Sequence, residues 1–324
     1  MTAQQVAGRS GFAHELLLHT STAEMLDFVV PFARDGVAAG EPTLLAVRPE
    51  TAAAVLDSVG PSPNLTVLPA IGQPGRPAAD LRATDALLAD HAATVPRVRI
   101  LNQEPIVPAE HWHEWRRLEA VVNLALAHHH AWAVCVYDRR ALTDERVDDL
   151  RATHPLMWSG RQHQPNDHYQ DTTRFIAEHR DAPPDPVEQT APAVELTDPV
   201  PATARATVNG LTKQNGLLAA DAEGLILATS EAVANAILHG QRPIVLRIWE
   251  QPDRMIVTVT DTGTGPVDPF AGLLPPPDSS DGGLGLWISH QLVDITHRRH
   301  PGGYTIRMTT AARTTGLDGS PSPP

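Results

Sequence analysis

One predicted helix carries a polar stripe whose residue types could do chemistry. Within the run SEAVANAILHG, Glu231, Asn235 and His239 follow one another at intervals of four, so all three project from the same face of a helix. A carboxylate can act as a general base, and an amide oxygen can coordinate a hard cation such as Mg²⁺. Val233 and the neighbouring alanines can pack the helix, which leaves the stripe either for catalysis or for solvent.

A second polar feature follows a predicted strand that ends in DTGTGP. This motif places Asp261 at the strand end and supplies Gly263 and Gly265, where the missing side chains let the backbone approach a ligand closely. A carboxylate in that position can accept a hydrogen bond from an exocyclic amine. By itself the motif is equally consistent with an ordinary turn.

A glycine-rich run, DGGLGLWISHQLV, places Gly282, Gly283 and Gly285 immediately before a predicted amphipathic helix. Backbone N–H groups and the helix dipole can hold phosphate oxygens at such a junction. Alone, the run is consistent with any loop that leads into a helix. In combination with the other two features, it predicts a nucleotide site.

The order and spacing of these features resemble the ATP-binding domain shared by histidine kinases, gyrase-type ATPases, Hsp90-type chaperones and anti-sigma-factor serine kinases. The resemblance runs from about Pro201 to Thr310. It is closest to the RsbW-like serine kinases, whose helix motif typically reads like EAVANAILHG. It implies an α+β sandwich of the Bergerat type that binds ATP and Mg²⁺.

The resemblance also implies a role for each motif residue. Asn235 would coordinate Mg²⁺ through its side-chain oxygen. Glu231 would be the general base that takes the proton from an acceptor hydroxyl. Asp261 would contact the adenine amine, in a pocket shaped by Gly263 and Gly265.

A lid over the nucleotide is a further implication, formed by residues 266–281. Gly282, Gly283 and Gly285 would hinge this lid and hold phosphates. His239 has no implied role, and we expect it to cap or pack the end of its helix.

The type of kinase depends on where the phosphate acceptor lies. A sensor histidine kinase needs an acceptor histidine on a helical hairpin just before the ATP-binding domain, and no histidine occurs between His179 and His239. The resemblance therefore implies a serine/threonine kinase whose acceptor lies on another protein, an anti-sigma-factor antagonist of the STAS type, with a sigma factor as the second partner. A histidine-kinase-like signalling ATPase and a non-catalytic, ATP-gated binding module are the alternatives.

The chain divides into two predicted domains. Residues 1–178 alternate apolar runs such as HELLLHT and WAVCVYD with helical patterns, which is typical of an α/β fold with a mainly parallel sheet. Residues 179–200 contain frequent prolines and are predicted to be a linker. Residues 201–313 are predicted to form helices and antiparallel strands, and residues 314–324 a disordered tail.

The N-terminal pattern resembles the MEDS sensory domain, and the two-domain layout resembles actinobacterial anti-sigma regulators of the RsbA family. The match runs from about His14 to Tyr169 and depends on HELLLHT, AAGEP, EAVVN and CVYD. Sensing of a small molecule is the implied function. Six polar residues could converge near strand ends, where open parallel sheets bind ligands, or could instead satisfy turns and helix ends: His14, Glu41, Glu119, Asn123, Asp138 and His154.

Composition argues against several classes of function. The net charge of -13, with no Lys/Arg block, disfavours nucleic-acid binding. No apolar run approaches the roughly 20 residues of a membrane-spanning helix, and the single cysteine, Cys135, allows no intramolecular disulfide. We therefore expect a cytoplasmic protein with no membrane anchor and, by analogy, a homodimer. The histidines at 111, 113 and 128–130 point in different directions on a helix, so we expect no metal site from them.

Overall fold

The computed structural model describes residues 11–68, 77–92, 97–159, 161–215, 217–252, 254–275 and 284–310. Two compact units divide the chain after His179. Each unit has its own sheet and its own apolar core.

The N-terminal unit is built on a seven-stranded sheet, in the order β3-β2-β4-β5-β1-β6-β7 among the described residues. Neighbouring strands are parallel except β6 and β7, which are antiparallel. The predicted α/β fold is thus confirmed. The strands are β1 (Ala13–His19), β2 (Thr43–Ala46), β3 (Leu65–Val67), β4 (Val98–Gln103), β5 (Ala131–Asp138), β6 (Leu156–Ser159) and β7 (Gln162–Pro165).

Helices connect these strands, and several begin at residues that suit a helix start. The Ser21 side chain accepts a hydrogen bond from the Glu24 backbone N–H, and the Asp171 side chain accepts one from Arg174, which satisfies N–H groups that have no partner inside the helix. In the described part of this unit the α-helices are α1 (Thr22–Ala38), α2 (Pro49–Val59), α3 (Pro77–Ala92), α4 (Trp112–Ala125), α5 (Asp144–Thr153) and α6 (Thr172–Glu178).

Successive side chains along β1 point to opposite faces of the sheet. Leu17 packs in a core with Phe28 and Val29 of α1. Leu16 packs on the opposite face, with Trp112 and Trp115 of α4. His14 is two residues before Leu16 and therefore points toward α4.

The C-terminal unit contains a five-stranded antiparallel sheet in the order β11-β12-β10-β9-β8. The predicted hairpin is confirmed, because Met255 of β10 pairs with Glu250 of β9. The strands are β8 (Val194–Thr197), β9 (Val245–Glu250), β10 (Met255–Asp261), β11 (Asp294–His300) and β12 (Gly303–Thr309), and the α-helices in the described residues are α7 (Pro201–Asn215), α8 (Ala219–His239) and α9 (Leu284–Leu292).

Small and branched side chains attach the helices of this unit to one face of its sheet. Val208 of α7 and Val233 of α8 are fully buried in the same core as Ile248 and Val257 of the sheet. Both helices bury an apolar stripe in this way, which is the usual source of helix stability in a folded protein.

The segment expected to be a linker differs from that expectation, because it belongs to the C-terminal unit. Val194–Thr197 forms the edge strand β8, with alternating half-buried and exposed side chains. Ala182 also donates a backbone hydrogen bond to His297 of β11, at 2.7 Å. The flanking prolines do not prevent pairing, since an edge strand needs backbone partners on one side only. The predicted tail, residues 314–324, lies outside the described residues.

Within the described ranges, no helix is both long and apolar enough to cross a membrane.

Candidate functional site

The polar stripe of α8 has no structural role of its own among the described residues. Glu231 and Asn235 are half-buried, and neither side chain makes a hydrogen bond or an ion pair with a described residue. A solvated helix face would leave both exposed, and a packing role would give them partners. They are thus available to an incoming ligand. His239 is exposed at the last position of the helix.

Asp261 is fixed at the end of β10 by two backbone amides. Its Oδ1 accepts hydrogen bonds from Gln241 N, at 3.1 Å, and from Gly263 N, at 2.7 Å. The residue is only 4% exposed. Because Oδ1 has these two donors and Oδ2 has no partner among the described residues, Oδ2 remains an acceptor of defined direction.

The glycines around Asp261 are required by close approach to the protein's own groups. A Cβ at Gly263 would lie 2.7 Å from Asp261 Oδ1, and one at Gly240 would lie 2.6 Å from its carboxyl carbon. Gly265 has a φ of +70°, and a Cβ there would lie 2.3 Å from the Tyr304 ring. The sequence identified Gly263 and Gly265, but it gave no signal for Gly240 because that glycine ends a helix.

The start of α9 contacts Glu231 of the polar stripe directly. A Cβ at Gly285 would lie 2.1 Å from Glu231 Oε2, so the carboxylate lies against the first turn of α9. First-turn N–H groups have no partner inside the helix, and the dipole there favours negative charge. Gly282, Gly283 and the last six residues of the predicted lid, 276–281, lie outside the described residues.

A buried polar chain, missed by sequence reasoning, links α9 to the sheet. His290 Nε2 lies 3.1 Å from His297 Nε2, and His297 Nδ1 is hydrogen-bonded to the Tyr304 hydroxyl. Tyr304 in turn packs beside Gly265, and His290 packs beside Gly272 of the predicted lid segment. The three residues follow one another at intervals of seven but lie on three different elements, α9, β11 and β12, so no pattern within one element marks them as a group.

Four of the six polar residues singled out in the N-terminal unit come together. His14 Nε2 lies 3.5 Å from Glu119 Oε2, and His154 Nε2 lies 3.2 Å from the same oxygen. Asn123 Oδ1 lies 3.2 Å from His14 Nδ1. His14 is near the beginning of β1 and His154 precedes β6, so the cluster lies toward the amino ends of these strands under α4, not at their carboxyl ends.

The other two residues do not join this cluster. Glu41 accepts a hydrogen bond from Arg99 in a buried ion pair. Asp138 pairs with Arg140 at the surface, 2.6 Å away. The structure instead adds Cys135, whose Sγ lies 3.4 Å from His14 Nε2, and Tyr137, whose hydroxyl donates to Glu119 Oε1 at 2.6 Å.

Burial dominates the electrostatics of this cluster. Burial, followed by the charge of His154, lowers the pKa of the His14 imidazole to about 4. Burial works to raise the pKa of Glu119, but the two histidine rings beside its carboxylate, His14 and His154, outweigh burial and hold that pKa well below its usual range. Burial, followed by Glu119 and Glu104, raises the pKa of the Cys135 thiol well above its usual value. Cys135 is therefore not a reactive nucleophile in this state.

A cavity of about 70 Å³ adjoins the cluster. His14, Glu119 and Cys135 line it on the polar side, and Trp115 and Leu118 contribute apolar surface. Since one water needs about 10–15 Å³ of such space, the cavity has room for several waters or a small organic molecule.

Comparison with known proteins accounts for both units. Residues 13–155 match the family model of the methanogen/methylotroph, DcmR sensory domain, abbreviated MEDS. Residues 196–310 match the model of the histidine kinase-like ATPase domain. The serine-protein kinase RsbW of Halalkalibacterium halodurans is 31% identical over 143 residues, which cover 39% of this chain and 83% of that protein. The chain belongs to the RsbW serine-protein kinase family.

Other RsbW proteins match the same part of the chain. The Bacillus subtilis protein is 28% identical over 118 residues, covering 32% of this chain and 74% of that protein. The solved histidine kinase domain of the E. coli osmosensor EnvZ covers 42% of this chain at 18% identity, with a TM-score of 0.24 that supports no structural argument. Membership in the RsbW family therefore depends on the curated relatives, and the antiparallel sheet with the three α-helices of the described residues agrees with an ATPase domain of this type.

In this RsbW-family unit, replacing Gly265 with alanine should cost more than about 2 kcal/mol of stability, because a left-handed φ is combined with a clash against Tyr304. Gly40 is a matched control, with a φ of +71° and nothing within 4 Å of an added Cβ. Gly40→Ala should cost only the conformational part, about 1 kcal/mol. Hydrogen exchange measures the loss of stability in each variant, at the amides of β10 for Gly265→Ala and at the amides of β2 for Gly40→Ala. Equal losses of stability in the two variants would show that the contact with Tyr304 does not contribute to the effect of Gly265→Ala.

Proposed function

We propose that the chain is an anti-sigma-factor regulator whose C-terminal unit is an ATP-dependent serine/threonine kinase. Its substrate would be an anti-sigma-factor antagonist of the STAS type, and its second partner would be a sigma factor that it sequesters. The N-terminal unit would control this activity. The kinase part of the proposal extends to this chain what the names of its RsbW relatives state, that those proteins are serine-protein kinases. The antagonist and the sigma factor are what the family resemblance implies.

The approach of Glu231 to the start of α9 carries the proposal. A helix N-terminus is suited to phosphate oxygens, and a general base must lie within reach of the proton that it removes. The contact with Gly285 brings both requirements to one place. A module that binds nucleotide but catalyses no phosphate transfer would not need a carboxylate beside its phosphate site.

The donor set fits ATP and Mg²⁺. Asn235 offers an amide oxygen for a hard cation, and this oxygen has no partner among the described residues. Asp261 offers Oδ2 to an exocyclic amine, and Gly263 lets its own amide orient that carboxylate. The N–H groups of the first turn of α9 have no acceptor within the helix and suit phosphate oxygens. When bound, the nucleotide supplies the phosphoryl group and the metal neutralises its charge.

Glu231 would hold the proton during transfer. The acceptor hydroxyl of the antagonist would donate its proton to the carboxylate as its oxygen forms a bond to the terminal phosphorus of ATP. The bond from that phosphorus to the β–γ bridging oxygen would break, and ADP would leave. The half-buried position of Glu231 limits competing water. No covalent enzyme intermediate is required.

Incubation of the full chain with Mg²⁺ and γ-labelled ATP, with and without STAS-type antagonists, tests this function. We expect acid-stable label on an antagonist. Asp261→Asn should weaken ATP binding by about 10- to 100-fold, since a charged hydrogen bond contributes about 1.5–3 kcal/mol. Acid-labile label on the chain itself would indicate a histidine kinase. ATP binding without transfer to any antagonist would overturn the kinase proposal and leave an ATP-gated binding module.

For the N-terminal unit we propose a sensory role, supported by its match to a sensory-domain family and by the cavity of about 70 Å³. The signal would be a small molecule. We also propose a homodimer, by analogy with kinases of this type. Sedimentation velocity of the full chain tests the dimer, and a single monomeric species at micromolar concentration would contradict it.

A further inference from the structure

We propose that the N-terminal unit binds one zinc-type divalent metal ion through His14, Glu119, Cys135 and His154. One ligand atom from each of these four buried residues lies within 4.8 Å of every other. They come from β1, α4, β5 and the end of α5, so the fold, and not one local turn, brings them together. This inference is independent of the proposed kinase function.

The spacings match those of a tetrahedral site. Zinc bonds of about 2.0–2.3 Å place the ligands of a tetrahedron roughly 3.3–3.8 Å from one another. The three distances that join His14 Nε2 to Glu119 Oε2, His154 Nε2 to Glu119 Oε2, and His14 Nε2 to Cys135 Sγ are 3.5, 3.2 and 3.4 Å. Side-chain shifts of a few tenths of an ångström would admit the ion.

The tautomer of His154 gives an independent reason for a cation. Its Nδ1 lies 2.7 Å from the Leu150 carbonyl oxygen, which only accepts, so Nδ1 carries the proton. In the neutral ring, Nε2 then presents a lone pair to Glu119 Oε2, which is also an acceptor. Nε2 is buried and makes no hydrogen bond to a described residue. A metal ion between the two atoms would satisfy both.

The surrounding residues orient the ligands as they do in metal sites. Asn123 directs its NH₂ to backbone carbonyls, including Thr153 O at 2.8 Å, so its Oδ1 accepts from His14 Nδ1 and leaves His14 Nε2 free for a metal. Tyr137 donates to Glu119 Oε1, which leaves Oε2 for the ion. Hydrogen bonds of this kind from the outer groups are typical of metal-ligating histidines and carboxylates.

The charge also balances. Two neutral imidazoles, one carboxylate and one thiolate neutralise a divalent ion, as a site this deeply buried requires. The Cys135 thiol releases its proton to solvent on binding. Mixed sulfur, nitrogen and carboxylate donors favour zinc or cobalt over magnesium or calcium.

Cobalt spectroscopy of the full chain provides the decisive test. The metal-stripped chain titrated with Co²⁺ should develop a thiolate-to-cobalt charge-transfer band that saturates at about one equivalent. Cys135 is the only cysteine in the sequence, so this band can come from no other site. No band in the wild-type chain overturns the proposal.

Zinc content provides the second test. The wild-type chain should contain about one zinc, and His154→Gln should weaken zinc binding by at least about 100-fold. Two controls should retain it. His163→Gln alters another buried histidine paired with a carboxylate, Glu15, at 2.8 Å, and His129→Gln alters the separate group with Asp85 and His128 near the surface. Equal zinc binding by His154→Gln and the wild type overturns the proposal, whereas loss only in His129→Gln assigns the ion to the other group.

Discussion

Replacing Glu231 with glutamine is expected to slow phosphate transfer to the antagonist by about 10²- to 10⁴-fold, the range that a general base contributes. Glutamine keeps the length and shape of the side chain, so its contact with Gly285 is preserved. It cannot take a proton from the acceptor hydroxyl. The stability of the unit should change by less than about 1 kcal/mol, because the carboxylate has no hydrogen bond to a described residue. Single-turnover transfer of γ-labelled phosphate measures the effect.

Two comparisons make this result specific to the proton-accepting role. Glu223 lies on the same helix and is exposed, so Glu223→Gln should transfer phosphate at the wild-type rate. Asn235→Ala should lose the Mg²⁺ dependence of ATP binding, whereas Glu231→Gln should bind ATP with an affinity within about threefold of the wild type. Transfer by Glu231→Gln at more than about a tenth of the wild-type rate would show that another group is the base.

The C-terminal unit and its candidate site could be predicted from sequence because short motifs make up that site. Helix α8 presents its stripe through spacing within one element, and β10 delivers Asp261 through the strand that directly precedes it. The hairpin of β9 and β10 follows from its short connection. Strand β8 was not predicted, because its alternation of apolar and polar residues extends over only four positions, Val194–Thr197, in a proline-rich segment that is typical of a linker.

The buried cluster of the N-terminal unit could be predicted only in part. Its members lie far apart in the chain, and only the strand order and the side-chain alternation of β1 and β5 bring them to one face. Glu41 and Asp138 are also carboxylates, but each is paired with an arginine instead. Glu41 pairs with Arg99 in the core, and Asp138 pairs with Arg140, two residues away. Cys135 looked uninformative because a lone cysteine has no partner in the sequence.

Gly285→Ala is expected to reduce phosphate transfer by about 10²-fold while leaving the fold intact. An added Cβ would lie 2.1 Å from Glu231 Oε2 but 3.3 Å from its Cγ. The flexible end of Glu231 can therefore move away at little cost to packing, and the carboxylate is displaced from the start of α9. A displacement of about 1 Å is enough to cost about 10²-fold in rate. Alanine also favours the helix by up to about 1 kcal/mol, so the melting temperature should not fall.

Gly210→Ala is the matched control for this variant, because Gly210 lies in α7 and an added Cβ there meets nothing within 4 Å. It should gain the same helix stability and keep full transfer activity. In the double variant, Gly285→Ala with Glu231→Asp, the shorter aspartate side chain makes room for the added Cβ. Its carboxylate still lies farther from the start of α9, so phosphate transfer should stay low. If Gly285→Ala alone transfers phosphate as fast as Gly210→Ala, the contact between Glu231 and the start of α9 is not the catalytic arrangement, and the base must act from a different position of the carboxylate.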